Sequence, residues 1–305
     1  MRALRLVAAF LCALWSIGCA RSTGNIALGN EGRVELVDTL PALAAALAAP
    51  SASTRVTLTG YARQHRALFA AAGVTPDLNG LEVPGLSQRL EVFEAEAPGE
   101  LNALINDLAA KLGRTPRLKV AFAAVGAKRP VCAGTLEGTA LLLVDGADTA
   151  LTTPAGRRTW LARALFKALQ LELQGPPASL SPLTARLFQE GAAMLAARLL
   201  VPNALEHQVL GIDAAALSRV RSRQPLLAKE LLAGLDSAKE SEVGRFFGAT
   251  STDPLVPLGA GAFLADQLFQ RLAAEDGSST APLRLSPADF PARARKVLGE
   301  LAGGR

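Results

Sequence analysis

The sequence is poor in aromatic residues, cysteine and histidine. Only 5% of its 305 residues are aromatic, with a single tyrosine, whereas 50% are hydrophobic, mostly alanine and leucine. Because alanine and leucine are strong helix formers, this composition favours packed helices over an all-β sandwich. Beyond the N-terminus, no stretch reaches the roughly 18 unbroken apolar residues of a membrane-spanning helix. We therefore expect the mature chain to be anchored by lipid at its N-terminus or free, and not threaded through the membrane.

The N-terminus has the pattern of a bacterial export signal. Two basic residues, Arg2 and Arg5, precede an apolar run over residues 6–15, which is too short to span a bilayer. The next residues, Ser16-Ile17-Gly18-Cys19, resemble a bacterial lipobox, in which a small residue precedes the cysteine that receives diacylglyceride. The departure is Ser16, where the family prefers leucine. We expect residues 1–18 to be a signal peptide and Cys19 to be lipidated, with ordinary secretory cleavage nearby as the alternative.

The expected lipid anchor places the protein on the bacterial cell envelope, facing the periplasm or the cell surface. Residues 19–33 are polar and contain glycine, so we predict a tether between the anchor and a folded region. Cys12 would leave with the signal, and Cys132 would remain as a single thiol that cannot form an intramolecular disulfide. The fold must then depend on its apolar core. We predict that Cys132 is a buried structural thiol, with a nucleophile as the weaker alternative.

The charge pattern argues against a nucleic-acid partner. The formal net charge is +5, a modest excess that is spread along the chain. Few aromatic residues accompany the local basic clusters, which are Arg219, Arg221 and Arg223, and Arg293, Arg295 and Lys296. Such clusters are typical of solvated faces.

Hydrophobic periodicity predicts helices at both ends of the chain and a small sheet between them. Helices are predicted first over residues 37–49, 61–72 and, opened by Pro98, 100–112. Residues 117–125 alternate like a half-buried strand, and 140–144 form an apolar run like a more buried strand that pairs with it. Later helices are predicted over residues 155–173, 183–200, in short pieces over 213–247, 258–274 and 287–301. The predicted fold class is α+β and predominantly helical, with an N-terminal helical region over 34–98 and a main domain over 99–305.

Two of the predicted helices carry charged residues in apolar surroundings. Arg163 and Lys167 lie at i and i+4 on one stripe of the first helix. Glu190 and Gly191 lie in the middle of the second, where a glycine costs about 1 kcal/mol relative to alanine, so we expect another backbone to approach it closely. The simplest role for Glu190 is an i, i+4 pair with Arg186, which contributes about 0.2–0.5 kcal/mol.

These two helices resemble the active-site helices of gluzincin-like zinc metalloproteases. RALFKALQ at 163–170 is similar to the family's HELFHALQ-type helix, and FQEGAA at 188–193 is similar to its downstream EGLA helix. The strand pair over 118–144 resembles the sheet and edge strand that precede the family's active helix. LVPLGAGAF at 255–263 resembles a segment with tyrosines before a glycine, here Gly259, with Val256 and Pro257 in the aromatic places. The resemblance covers about residues 100–305 and implies a zincin-like domain with a small sheet before the motif helix.

The departures from the family decide the expected chemistry. The resemblance implies two histidines that bind zinc, a glutamate as third ligand, and a glutamate after the first histidine that activates a metal-bound water. Here Arg163 and Lys167 stand in place of the histidines and Ala164 in place of the base, so only Glu190 is retained. Arginine keeps its proton and a protonated lysine repels a dication. We therefore expect no metal, no cofactor and no catalytic residue of the zincin type.

A charge-replacement hypothesis follows from these substitutions. Arg163 and Lys167 would supply the positive charge that zinc supplies in the family, with Glu190 paired to both. The hypothesis fails if the Glu190 carboxylate lies beyond salt-bridge distance from both cations. The chain's two histidines, His65 and His207, fall outside the motif and are predicted to lie on helix surfaces or at helix caps.

The leading expectation is an envelope lipoprotein with a catalytically inactive metalloprotease-like domain. It would bind or scaffold a peptide or protein partner and contact the membrane through its lipid. One alternative is a hydrolase with a non-standard active site built on Glu190 or Cys132. The other is a purely structural lipoprotein whose helices share only the family's spacing.

Overall fold

The computed structural model describes residues 26–28, 33–47, 51–126, 129–248, 250 and 253–303. Over these residues the fold is α+β and helices predominate, as predicted. The strands are β1 (Ile26–Leu28), β2 (Val34–Asp38), β3 (Leu118–Ala123), β4 (Val131–Leu136) and β5 (Thr139–Asp145). The α-helices are α1 (Leu40–Leu47), α2 (Ser51–Gln64), α3 (Arg66–Ala71), α4 (Leu86–Leu112), α5 (Pro154–Gln174), α6 (Pro182–Leu200), α7 (Glu206–Leu210), α8 (Ala214–Ser222), α9 (Gln224–Gly234), α10 (Glu240–Phe247), α11 (Ala260–Glu275) and α12 (Phe290–Ala302).

The strands in the described part of the chain form one mixed sheet in the order β1-β2-β3-β5-β4. β2, β3 and β5 run parallel, with Leu36 opposite Val120 and Val120 opposite Leu142. β1 and β4 lie at the two edges and run antiparallel to their neighbours. Buried parallel strands have near-continuous apolar sequences, as β3 and β5 do here. β4 is the edge strand that contacts α5.

Both predicted strands and their pairing are confirmed. β3 lies within the predicted 117–125, β5 includes the predicted 140–144, and the two strands pair in parallel. β4 was not predicted. It joins β5 through a two-residue turn at Glu137 and Gly138, whose φ angles are 52° and 76°. Turns of this kind match the twist of a hairpin but require positive φ at both central residues.

The region over residues 34–98, predicted to be helical, also contains a strand. β2 occupies the beginning of the helix predicted over 37–49, and α1 starts only at Leu40. Val34 and Leu36 are buried in the sheet against β3. Pairing with β3 therefore makes Val34–Asp38 a strand, and the alanine-rich residues that follow form α1. Similarly, the tether predicted over 19–33 contains β1, which pairs with β2.

α4 continues through Pro98, so the helix start predicted at this residue is wrong. A proline inside a helix costs about 3 kcal/mol, and here other contacts span the position. Arg157 of α5 binds the helix on both sides of the proline, with Nη2 2.5 Å from Glu96 and Nε 2.6 Å from Glu100. The predicted domain boundary between residues 98 and 99 thus lies in the middle of a helix, and one apolar core includes residues of both predicted regions.

The helices predicted after the sheet are confirmed. α5, α6, α11 and α12 begin and end within three residues of their predicted bounds, and α8, α9 and α10 are the short pieces predicted over 213–247. No helix among the described residues is long and apolar enough to cross a membrane. The predicted signal peptide and the predicted lipidation site, Cys19, lie outside the described residues.

Candidate functional site

Local sequence signals fix the starts of α5 and α6. The hydroxyl of Thr153 accepts a hydrogen bond from the N–H of Gly156 (3.2 Å), and the hydroxyl of Ser181 accepts one from the N–H of Thr184 (3.3 Å). A proline follows each capping residue, where its missing N–H does no harm. The two capped helices pack against each other, which brings the charged stripe of α5 next to the middle of α6.

Gly191 allows a third helix to approach α6. A Cβ atom at this position would lie 2.7 Å from the carbonyl oxygen of Ala265 and 2.3 Å from Cδ2 of Phe269, both on α11. Carbon atoms in contact normally lie about 3.5–4.0 Å apart, so only glycine fits here. The close backbone approach predicted for this glycine is therefore confirmed, and it holds the neighbouring Glu190 in a tightly packed layer.

The carboxylate of Glu190 binds cationic side chains from two helices. Oε2 lies 2.9 Å from Nη2 of Arg163, and Oε1 lies 2.7 Å from Nζ of Lys167. Arg186 of the same helix also reaches Oε1, at 2.8 Å. The predicted pairing across the helices and the simpler i, i+4 pair are thus both present. Side-chain exposure is 4% for Glu190, 7% for Arg163, 32% for Lys167 and 47% for Arg186.

Arg163 is held on several sides. Its Nη1 donates to the carbonyl oxygen of Val209 on α7 (3.1 Å), and its guanidinium lies 4.5 Å from the ring centre of Trp160. A guanidinium over an indole is a favourable cation–π contact. Its buried Nε has no hydrogen-bond partner among the described residues. Arg163 is thus a rigid, buried cation, and Ala164 beside it leaves space where the family has a glutamate base.

The charges of the cluster perturb one another. Burial by itself raises the pKa of Glu190, but the charges of Lys167, Arg163 and Arg186 outweigh burial and hold this pKa well below its ordinary range. Burial, together with the charges of Arg163 and Arg186, lowers the pKa of Lys167 to about 8 against the attraction of Glu190. Glu190 therefore stays ionised at neutral pH, and such a carboxylate is too weak a base for general-base catalysis.

The cluster does not fit a zinc ion. Zinc sites use thiolate, imidazole and carboxylate ligands, usually four in a tetrahedron with water included. Glu190 is the one such ligand in this cluster. Its oxygens already bind the guanidinium of Arg163, which stays protonated, and the ammonium of Lys167, which is mainly protonated at neutral pH. No group of three or more His, Cys, Asp or Glu side chains in the described part of the chain could hold a metal ion.

A large groove opens beside the cluster. It has a volume of about 970 Å³ and lies between β4, the start of β5, α5 and the exposed side of α6. Its floor includes Arg163, Ala164 and Lys167, and Arg186 lies at its α6 side. The three motif positions on α5, Arg163, Ala164 and Lys167, therefore line one groove, and Glu190 is bonded to two of them from α6.

The outer edge of β4 borders this groove with unpaired backbone groups. The N–H of Asp145 donates to the carbonyl of Pro130 (3.0 Å), and hydrogen-bonded pairs alternate from there along the antiparallel register. The backbone N–H and C=O of Val131, Ala133 and Thr135 consequently point away from β5. Among the described residues, no strand pairs with this edge.

The remaining sequence candidates lie apart from the cluster. His65 lies at the N-cap position of α3, although its side chain makes no capping hydrogen bond there. Its ring packs against those of Tyr61 and Phe69, and burial lowers its pKa. His207 is a half-buried residue of α7. Cys132 is buried on β4, as predicted, and burial raises the pKa of its thiol.

The segment before α11 agrees only in its glycine with the family pattern. Gly259 has φ of 86° and precedes the first turn of α11, where a Cβ would lie 2.6 Å from Ile212. Val256 is buried, whereas the family has an aromatic side chain at this place.

Two parts of the site were not predicted. Trp160 could have been found, because residues three positions apart on a helix are neighbours and Arg163 follows it at that spacing. The contact with the carbonyl of Val209 could not have been found, because α7 was not predicted.

Comparison with known protein families, with curated proteins and with solved structures found no match for this chain. The zincin resemblance therefore remains a prediction from the chain's own sequence.

Proposed function

We propose that this protein is a bacterial envelope lipoprotein whose zincin-like domain has lost its zinc site and binds an extended peptide in the groove beside β4. The observation that carries the proposal is the position of Glu190, whose carboxylate is shared by Arg163 and Lys167 at i and i+4 of α5. This is the spacing at which the family places its two zinc-binding histidines.

Side-chain lengths make the replacement geometrically reasonable. A histidine ring together with a zinc–nitrogen bond of about 2.1 Å reaches about as far from the backbone as an extended lysine does. Glu190 then accepts from Nζ of Lys167 at 2.7 Å, where in a zinc site it would bind the metal. The positive charge opposite Glu190 is kept, but the ability to polarise a substrate or activate water is lost.

The groove supports a binding role. β4 spans six residues, about 20 Å at 3.3 Å per residue. Its unpaired backbone groups at Val131, Ala133 and Thr135 could pair with an added strand, which is a recurring mode of peptide recognition. Sequence specificity would come from side chains of the peptide that point to the floor formed by α5.

The hydrolase alternative has little support in the site. Glu190 is fully ion-paired, and burial disfavours the Cys132 thiolate that a nucleophile requires. Neither histidine of the chain lines the groove.

Two measurements on residues 20–305 test the proposal. Protein purified from zinc-supplemented medium without chelator should contain far less than one zinc per chain by mass spectrometry of the metal. A labelled, amidated octapeptide of alternating threonine and glutamine should bind, and Ala133→Pro should weaken binding because it removes an outward N–H of β4. Ala133→Val is the matched control and keeps that N–H. Tightly held stoichiometric zinc would contradict the lost-site proposal, and equal binding by Ala133→Pro would contradict the peptide site.

A further inference from the structure

The groove carries more positive charge than its own carboxylates neutralise. Among the described residues, its lining includes five cationic side chains, which are Arg117, Arg129, Arg163, Lys167 and Arg186. The carboxylates in and directly behind the lining are Glu172 and Glu190. Glu172 is itself paired with Arg33 and accepts from the backbone N–H of Arg117. Three positive charges of the lining therefore remain in excess.

The groove also holds hydrogen-bond donors that the described residues leave without an acceptor. The ammonium of Lys167 has three N–H groups; in the described structure one binds Glu190 at 2.7 Å, and 32% of the side chain is exposed. Arg186 is half exposed; its ion pair is with Glu190, and its guanidinium lies 6.0 Å from the ring centre of Phe247, which leaves N–H groups without an acceptor in the described part of the chain. The amide nitrogen of Gln170, which lines the groove and is buried, has no partner among the described residues.

The pKa of Lys167 is lowered because it is buried and because positive charge around it exceeds negative charge. Its ammonium is destabilised by burial and by Arg163 and Arg186, and one carboxylate does not compensate for these effects. A second carboxylate placed against Lys167 and Arg186 would supply the missing negative charge and accept from both donors. The unpaired edge of β4 would align such a carboxylate, since alternate side chains of an added strand point to the same side.

We propose, building on the peptide-binding function above, that the groove selects acidic peptides, with Asp or Glu side chains bound by Lys167 and Arg186. The charge excess favours carboxylates over neutral and basic side chains, because basic ones would meet like charges at short range. The backbone edge of β4 favours an extended peptide over a lipid headgroup, which has no backbone ladder to pair with it.

The test uses residues 20–305 and labelled octapeptides in fluorescence anisotropy at low and physiological salt. Three of the peptides have an amidated C-terminus, and in them threonine alternates with glutamate, with glutamine or with lysine. A fourth peptide, with glutamine and a free C-terminus, separates a side-chain carboxylate from a terminal one. Vesicles of phosphatidylglycerol serve as the lipid probe. Arg129→Gln and Arg186→Gln remove exposed groove cations, and Arg219→Gln on α8 is the matched control outside the groove.

The glutamate peptide should bind at least about tenfold tighter than the amidated glutamine peptide, and added salt should reduce the difference. Arg186→Gln should lose most of that selectivity, Arg129→Gln part of it, and Arg219→Gln none. Equal affinity for glutamate and glutamine peptides, with both weakened by Ala133→Pro, would overturn the acidic preference and leave peptide binding intact. Binding of no peptide would overturn both proposals. Three other outcomes would overturn the assignment to acidic side chains. They are unchanged selectivity in both groove variants, a preference only for the peptide with a free C-terminus, and binding of vesicles in place of peptides.

Discussion

Replacement of Glu190 by glutamine should destabilise the protein far more than loss of any one exposed cation around it. Glu190→Gln keeps the size and one oxygen acceptor of the side chain but removes the charge that Arg163 and Lys167 share. Arg163 is buried and bonded to the carbonyl of Val209, so it cannot move into solvent. Breaking a buried ion pair on one side costs about 3–5 kcal/mol.

Because glutamine retains one oxygen acceptor, we expect a loss near the lower end of this 3–5 kcal/mol range, at about 3 kcal/mol in the free energy of unfolding. At an unfolding entropy of about 2.1 cal/mol/K per residue, the melting temperature of residues 20–305 should fall by roughly 5 °C. Arg186→Gln is the matched control, because Arg186 is half exposed and Glu190 keeps both other partners, so its loss should stay below about 1 kcal/mol. Urea unfolding of residues 20–305, followed by circular dichroism, measures both.

Two further observations make this prediction specific. Glu190 has a depressed pKa in the folded state, so its stabilisation is present above its unfolded pKa of about 4.3 and is lost as the pH falls below it. The difference between wild type and Glu190→Gln should therefore shrink as the pH falls through the acid range. Arg163→Met combined with Glu190→Leu removes both buried charges and should recover more than half of the loss. A loss for Glu190→Gln no larger than that of Arg186→Gln would refute the buried-pair reasoning.

Three other predictions concern packing, pH and location. Gly191→Ala should lose about 1–3 kcal/mol, because its Cβ would lie 2.3 Å from Phe269, whereas Gly99→Ala in open space on α4 should gain up to about 1 kcal/mol; equal effects in urea unfolding would contradict the close approach. The folded pKa of Lys167 is about 8, below its unfolded value of about 10.4, so the unfolded chain binds more protons between these values. Wild type should accordingly gain stability relative to Lys167→Met as the pH rises from about 8 to 10, and parallel pH profiles would contradict this. Cys19→Ala should move the protein from the membrane fraction to the soluble envelope fraction, and an unchanged distribution would argue against lipidation.

Some of the site could be predicted from sequence because it depends on helical spacing. Arg163 and Lys167 lie on one stripe whatever packs against α5, and Glu190 lies at the centre of a helix with apolar residues on most sides. Pairing these helices required only that their charged positions meet. Gly191 likewise indicated that another backbone approaches α6 closely, although the sequence around it did not show that this neighbour is α11.

The parts that could not be predicted depend on contacts distant in sequence. β2 reads as the start of a helix until β3 is placed beside it, about 80 residues later in the chain. α4 continues through Pro98 because Arg157, from another helix, binds both sides of it. The free edge of β4, on which the peptide proposal depends, required the turn at Glu137 and Gly138, which lacks the usual asparagine or aspartate.

We propose that Arg163, Lys167 and Glu190 keep the geometry of a zinc site whose ligands were replaced. Restoring the motif with Arg163→His, Ala164→Glu and Lys167→His in residues 20–305, and titrating the folded protein with zinc against a fluorescent chelator, tests this geometry. Tight binding of one zinc per chain is expected, absent in the wild type and largely lost when Glu190→Ala is added. A restored variant that folds, by circular dichroism, but binds no zinc, or binds it equally well without Glu190, would contradict the claim.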